Sequence, residues 1–147
     1  MFDTNAFNRL LDSGQDPAAV AYGRDLFATH IQLRELSATK NLARAQALAT
    51  VFHETPQEVI PTAAAIWDVS EYCGAEYGDA DGAYPDLLQR LNAANGGKDN
   101  NCHDALIGVT ALKRKLTLVT NDRDLARAIR EMGGTPVTFE DFVAHAD

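Results

Sequence analysis

Two cysteines, Cys73 and Cys102, are all the thiol chemistry in a chain of 147 residues. Neither has a second thiol at metal-ligand spacing, so the sequence supports neither a zinc site nor a disulfide framework, and both are read as reduced packing residues. Long apolar runs are missing as well. No stretch approaches the ~20 residues needed to cross a bilayer, and Met1 leads directly into Phe2 and Asp3 with no basic segment or apolar signal core. The expectation is a cytoplasmic protein that does not touch membranes. Positive charge is scarce too: 13 Lys and Arg face 21 Asp and Glu, a net charge of −8. That balance excludes coating nucleic acid by bulk electrostatics, which needs a positive field. Any polyanion must be met locally or through metal ions. No G-x-G-x-x-G follows the first expected strand, which removes a dinucleotide-binding module. A phosphoaspartate phosphatase is removed by Asn5, which stands where a second Asp is needed.

What is present is ordinary globular material. Hydrophobic residues make up 46% and charged residues 23% of the chain, and its length suits one domain over residues 1–147 with a core of its own. A very short strand ends at Asp3, and a helix starts at Thr4 or Asn5, both good N-cap types. Leu26 to Ile31 reads as a second strand, followed by a helix carrying Gln32 to Ser37. Leu42, Ala45, Ala49 and Phe52 recur at helical spacing over Asn41 to His53. Pro85 to Ala94 is helical, closing before Gly96 and Gly97. Asp99, Asn100 and Asn101 offer N-caps for a helix through His103 to Lys115, and Leu116 to Thr120 (LTLVT) is the best strand in the chain. A helix over Asp122 to Met132, a strand over Pro136 to Thr138 and a helix over Phe139 to His145 complete the reading. The stretch from Ala63 to Gly82 has no clean period and receives no element. Strands alternating with helices predict an α/β sandwich, a parallel sheet with helices on both faces.

In such a sheet ligands bind beyond the carboxyl ends of the strands. An acid stands at each place where an end can be read: Asp3, Glu35 and Asp122. Asp104 lies in the first turns of the helix leading into the LTLVT strand, and one turn on, the same face carries Gly108, small enough for close approach of another element. Four carboxylates could therefore meet at one edge. Asp3 and Asp122 also suit helix N-caps, Glu35 a solvated helix face, and Asp104 a dipole partner, so only the four acids as a set point to a site. Like charges a few ångströms apart resist ionisation. A divalent cation resolves the conflict, and oxygen-only ligands suit Mg²⁺ or Mn²⁺ better than zinc.

The segments FDTNAF, RELSAT around Glu35, and HDALIGVTALKRKLTLVTNDRDL, with four acids in this order, resemble the PIN-domain family and its VapC-type toxin ribonucleases. The likeness is strongest over the first and last thirds of the chain, and D-A-L-I with L-V-T-x-D is its most discriminating part. It implies a PIN-like α/β/α sandwich with a central, mainly parallel sheet. It also implies a Mg²⁺- or Mn²⁺-dependent endoribonuclease, the toxin of a toxin-antitoxin pair. Asp3, Glu35, Asp104 and Asp122 would be the catalytic metal ligands, with Asp124 a further candidate ligand. Asn5 and Thr120 would orient carboxylates or water. RNA is the implied substrate, an antitoxin protein the implied partner, and a homodimer the implied assembly. Rival readings are a stand-alone RNA-processing nuclease and a PIN-like binding module with little catalysis.

Basic residues next to the acids are candidates for meeting RNA, Arg9 and Arg123 first among them. Lys113, Arg114 and Lys115 are read as a solvated helix end. Trp67, Tyr72, Tyr77 and Tyr84 are read as packing groups, since no basic residue is interleaved among them. His103 is read as a bystander beside Asp104.

Overall fold

A computed structural model describes residues 1–64 and 81–145. Cys73, Trp67, Tyr72 and Tyr77 fall outside them, as does most of the Ala63 to Gly82 stretch. Among the described residues there are eight helices: α1 (Thr4–Ser13), α2 (Pro17–Ala21), α3 (His30–Ser37), α4 (Leu42–Glu54), α5 (Ala83–Asn95), α6 (Asn101–Lys113), α7 (Arg123–Glu131) and α8 (Phe139–Ala144). Four strands of two residues each join them: β1 (Phe27–Ala28), β2 (Glu58–Val59), β3 (Leu118–Val119) and β4 (Pro136–Val137).

The expected α/β/α sandwich on a central parallel sheet is therefore corrected. The strands form two separate parallel pairs, β1 with β2 and β3 with β4, and helices make up most of the described residues. Between the pairs runs Met1–Asp3, which contributes a single parallel bridge, Phe2 to Val119. Phe2 N–H donates to Phe27 O at 3.2 Å, Val119 N–H to Met1 O at 2.8 Å and Asp3 N–H to Val119 O at 3.1 Å. Helix caps follow two of the strands directly, Thr29 after β1 and Thr138 after β4, and Asp122 caps α7 three residues after β3. The five-residue strand expected over Leu116 to Thr120 is cut to Leu118 and Val119, since only these two pair with Pro136 and Val137. Helix α2 was not anticipated, although Asp16 caps it and Pro17 occupies its first turn.

Caps explain several of the helix starts, although Asn100, one of the caps expected for α6, stands at its N-cap position without a side-chain cap hydrogen bond. Asp3 Oδ1 accepts the Ala6 N–H at 2.7 Å at the head of α1, and Gly14 ends that helix in the left-handed conformation, φ 65°. Thr29 and Gln32 form a capping box on α3. Gln32, fully buried, also donates to Phe2 O at 2.8 Å, which fixes α3 against the N-terminal segment.

Helix α6 is buried nearly all round, from Ala105 to Ala111, as expected of a helix packed on several sides. It packs on α5 and α7. The approach is close at Gly108, where a Cβ would lie 2.7 Å from Leu87 Cδ2 and 2.9 Å from Ile129 Cδ1. Met1 and Leu118 join the core around α5, α6 and α7, while Phe2 and Val119 join the one around α1 and α4. This is the two-residue alternation of extended chain. Phe2 packs edge to face on Phe7, Phe139 and Phe142. Tyr84 is buried in the first core, as a packing group should be. Among the described residues no helix is long and apolar enough to cross a membrane.

Candidate functional site

Asp3, Asp104 and Asp122 all stand at helix starts, and the bridge between Phe2 and Val119 sets two of those starts side by side. The backbone N–H of Asp3 donates to Val119 O, and Thr120 follows. Asp122 caps α7, its Oδ1 accepting the N–H groups of Asp124 at 2.8 Å and Leu125 at 3.0 Å. The Thr120 hydroxyl accepts the Asp122 N–H at 3.0 Å and hydrogen-bonds the Asp3 carboxyl. Asp3 is only 2% exposed.

Asp104 lies in the first turn of α6 and accepts from Asn100 Nδ2 at 3.1 Å on Oδ2. The start of α6 is fixed by a partly buried amide network around the buried Asn101. Asn101 Nδ2 donates to Asn92 Oδ1 at 2.7 Å and to Asn95 Oδ1 at 2.9 Å, tying the end of α5 to the start of α6. Glu35, on α3, accepts from the Thr4 hydroxyl and from His103 Nδ1, the latter at 2.9 Å. Its side chain is 14% exposed and that of His103 is 23% exposed.

These carboxyls act on one another. Burial raises Asp3 to a pKa of about 6; hydrogen bonds from Thr120 and Ala6 oppose the rise, and the charges of Asp122 and Glu35 add to it. Asp104 is raised to about 7, again first by burial, then by the charges of Glu35, Asp122 and Asp3. Lys98 is the cation that acts against this rise. The four acids read from the sequence thus lie within each other's electrostatic reach. Among the described residues, no three His, Cys, Asp or Glu side chains stand at the spacing of one ion's coordination shell. The acids instead rest on local donors, which is where mutual repulsion and capping would leave them. Their donor set is oxygen only, with two carboxyls whose pKa values are raised toward neutrality. That set suits a hard divalent cation, which would compete with protons for these carboxyls and offset the charge.

The other residues singled out from the sequence are placed less centrally. Asp124 pairs with Arg127 at 3.0 Å and is not among the charges acting on Asp3 or Asp104. Asn5 is exposed, and its neighbour Thr4 is the residue of that first turn which reaches Glu35. Arg9 is exposed and lies 3.9 Å from Glu140; Arg123 is exposed at the start of α7. Neither is among the charges felt by Asp3 or Asp104. Lys113 pairs with Asp81 at 3.0 Å, so it is more than a solvated helix end. Sequence reasoning missed Thr4, Asn100 and Lys98, and took His103 for a bystander although it holds Glu35. The adjacency of His103 to Asp104 was the available signal.

Comparison of the chain with protein-family models, with curated proteins and with solved structures finds no match.

Proposed function

We propose that the protein is a Mg²⁺- or Mn²⁺-dependent endoribonuclease. The observation that supports it best is the raised pair Asp3 and Asp104, each lifted by burial and by the charge of Glu35 and Asp122. Perturbed carboxyls with specific charge neighbours are functional-site candidates on physical grounds. Asp3, Asp104 and Asp122 would hold the cation. Each is fixed by a helix start, so their oxygens are oriented before a ligand arrives. When bound, the cation supplies Lewis acidity toward a phosphoryl oxygen and makes a water acidic enough to attack near neutral pH. Thr120 keeps Asp3 and Asp122 in register, and Asn100 orients Asp104. Lys98, exposed at the rim, offers local positive charge to a phosphate in a chain whose net charge is −8.

RNA as the substrate rests on the resemblance of the FDTNAF, DALI and LVTND segments to PIN-domain ribonucleases. The same resemblance supports the setting: a cytoplasmic toxin, active as a homodimer and held by an antitoxin protein. Purified protein assayed on RNA with and without Mg²⁺ or Mn²⁺, beside Asp104→Asn, tests the reading. Cleavage that needs the cation and disappears in the variant supports it. No cleavage by the wild-type chain under either cation, or near-normal cleavage by Asp104→Asn, overturns it.

A further inference from the structure

Glu35 is held differently from Asp104 and Asp122. Among the described residues, Asp104 is bonded at Oδ2 and Asp122 at Oδ1, each through one oxygen, while Asp3 accepts the N–H of Ala6 on its own helix and the Thr120 hydroxyl. Glu35 has both oxygens engaged, Oε2 by the Thr4 hydroxyl and Oε1 by His103 Nδ1. A carboxylate can only accept, so the imidazole donates from Nδ1, and in the neutral ring Nε2 is left as the acceptor. The three partners come from α1, α3 and α6, so packing of three helices fixes the contact rather than one flexible side chain. The cost of breaking it by drawing Glu35 onto an ion is two hydrogen bonds, one of them to a mostly buried ring.

Building on the metal-dependent reading above, we propose that Thr4 and His103 form a two-point clamp that keeps Glu35 out of direct contact with the cation. The aspartates hold the ion, and Glu35 orients water or substrate from the outer sphere. His103 is then a positioning residue. Partners of this kind, acting through another group, typically alter activity by ~10–100-fold.

The test measures Mn²⁺ binding by calorimetry, RNA cleavage at saturating Mn²⁺, and imidazole nitrogen shifts in the metal-free protein. His103→Ala and Glu35→Gln should leave Mn²⁺ affinity within about threefold of wild type, while Asp104→Asn weakens it about tenfold or more. His103→Ala should slow cleavage ~10–100-fold, and His103→Asn, whose amide nitrogen can occupy the place of Nδ1, should recover most of that loss. Circular dichroism on each variant checks that the fold is retained. A Glu35→Gln variant that loses Mn²⁺ as severely as Asp104→Asn overturns the clamp, and so does an unprotonated Nδ1 in the metal-free spectrum. A wild-type chain that neither binds Mn²⁺ nor cleaves RNA overturns the function proposed above, whereas the imidazole spectrum decides the clamp independently.

Discussion

The Thr120 hydroxyl accepts the backbone N–H of Asp122 at 3.0 Å. Its own proton serves the Asp3 carboxyl, where it works against the effect of burial. Thr120 is itself 1% exposed, so no solvent can replace it without local opening. Thr120→Val keeps the shape but removes both hydrogen bonds. The expected result is a loss of about 1–2 kcal/mol of stability, the typical cost of leaving a buried donor unpaired. Asp3 should titrate above its present value of about 6. Urea unfolding and carboxyl titration by NMR measure the two effects, and an unchanged Asp3 titration would contradict the bridging role.

Asp104 makes the metal-free protein sensitive to pH in a defined direction. Its pKa in the folded chain is about 7 against an ordinary value of 3.8. The folded state therefore binds this proton more tightly than the unfolded state, and stability falls as pH rises from about 4 through about 7. Asp3, raised to about 6, adds to the fall over the lower part of that range. Above about pH 7 the penalty is fully present; below about pH 4 it is absent. Asp104→Asn should thus stabilise the metal-free protein at pH 8 by roughly 1–3 kcal/mol, less than the full linkage value because a buried amide also loses hydration. At pH 4 the variant and wild type should agree closely. Denaturant titrations at the two pH values decide it, and a variant less stable at pH 8 would show Asp104 to be chiefly a helix-start partner.

What the sequence disclosed follows the range of the interactions involved. Asp3 before Thr4, Asn41 before Leu42 and Asp122 before Arg123 are local capping signals, and each helix starts where its cap predicts. Strand length was not legible. LTLVT has the composition of a five-residue strand, but only Leu118 and Val119 find partners, Pro136 and Val137 on one side and a single bridge to Phe2, more than a hundred residues away, on the other. The four acids could be identified one at a time from their place at element ends. Their mutual influence could not, because burial dominates the shifts of Asp3 and Asp104 and burial is a product of packing. The Glu35 contacts were hidden for a related reason. Thr4 and His103 are 31 and 68 residues distant, and helix rotation decides that Thr4, not Asn5, faces inward.

Gly108 is a place where two known effects oppose each other. Alanine is the better helix former by about 1 kcal/mol. Its Cβ, however, would lie 2.7 Å from Leu87 Cδ2, 2.9 Å from Ile129 Cδ1 and 3.4 Å from Leu125 Cδ1. All three side chains are buried in the α5–α6–α7 core, so they cannot swing into solvent to make room. Overpacking of this kind costs about 1–3 kcal/mol, and Gly108→Ala should be destabilising by about 1 kcal/mol net. Because α6 carries Asp104, a shift of the helix should also disturb the site, seen as a lowered Asp104 pKa if the carboxyl becomes better hydrated. A neutral or stabilising substitution would mean that the interface between α6 and α7 relaxes more easily than its packing suggests.

A divalent cation should reverse the pH behaviour of the metal-free chain. Protons on Asp3 and Asp104 compete with the ion, since a carboxylate must be ionised to ligate. Their pKa values of about 6 and about 7 place that competition in the physiological range. Apparent Mn²⁺ affinity should therefore rise steeply from pH 5.5 to pH 7.5 and level off above about pH 8. At a cation concentration 100 times the dissociation constant, binding to the folded state alone stabilises it by about 2.7 kcal/mol. Thermal unfolding with Mn²⁺ should then show the largest upward shift near pH 8, where the metal-free protein is least favoured by its carboxyls. The shift should fall to about half or less in Asp104→Asn and in Asp3→Asn. Calorimetry in two buffers of different ionisation enthalpy counts the protons released, which should fall from one or more per ion near pH 6 toward none above pH 8. A Mn²⁺ effect independent of pH over this interval would place the ion elsewhere on the protein, away from the two raised aspartates.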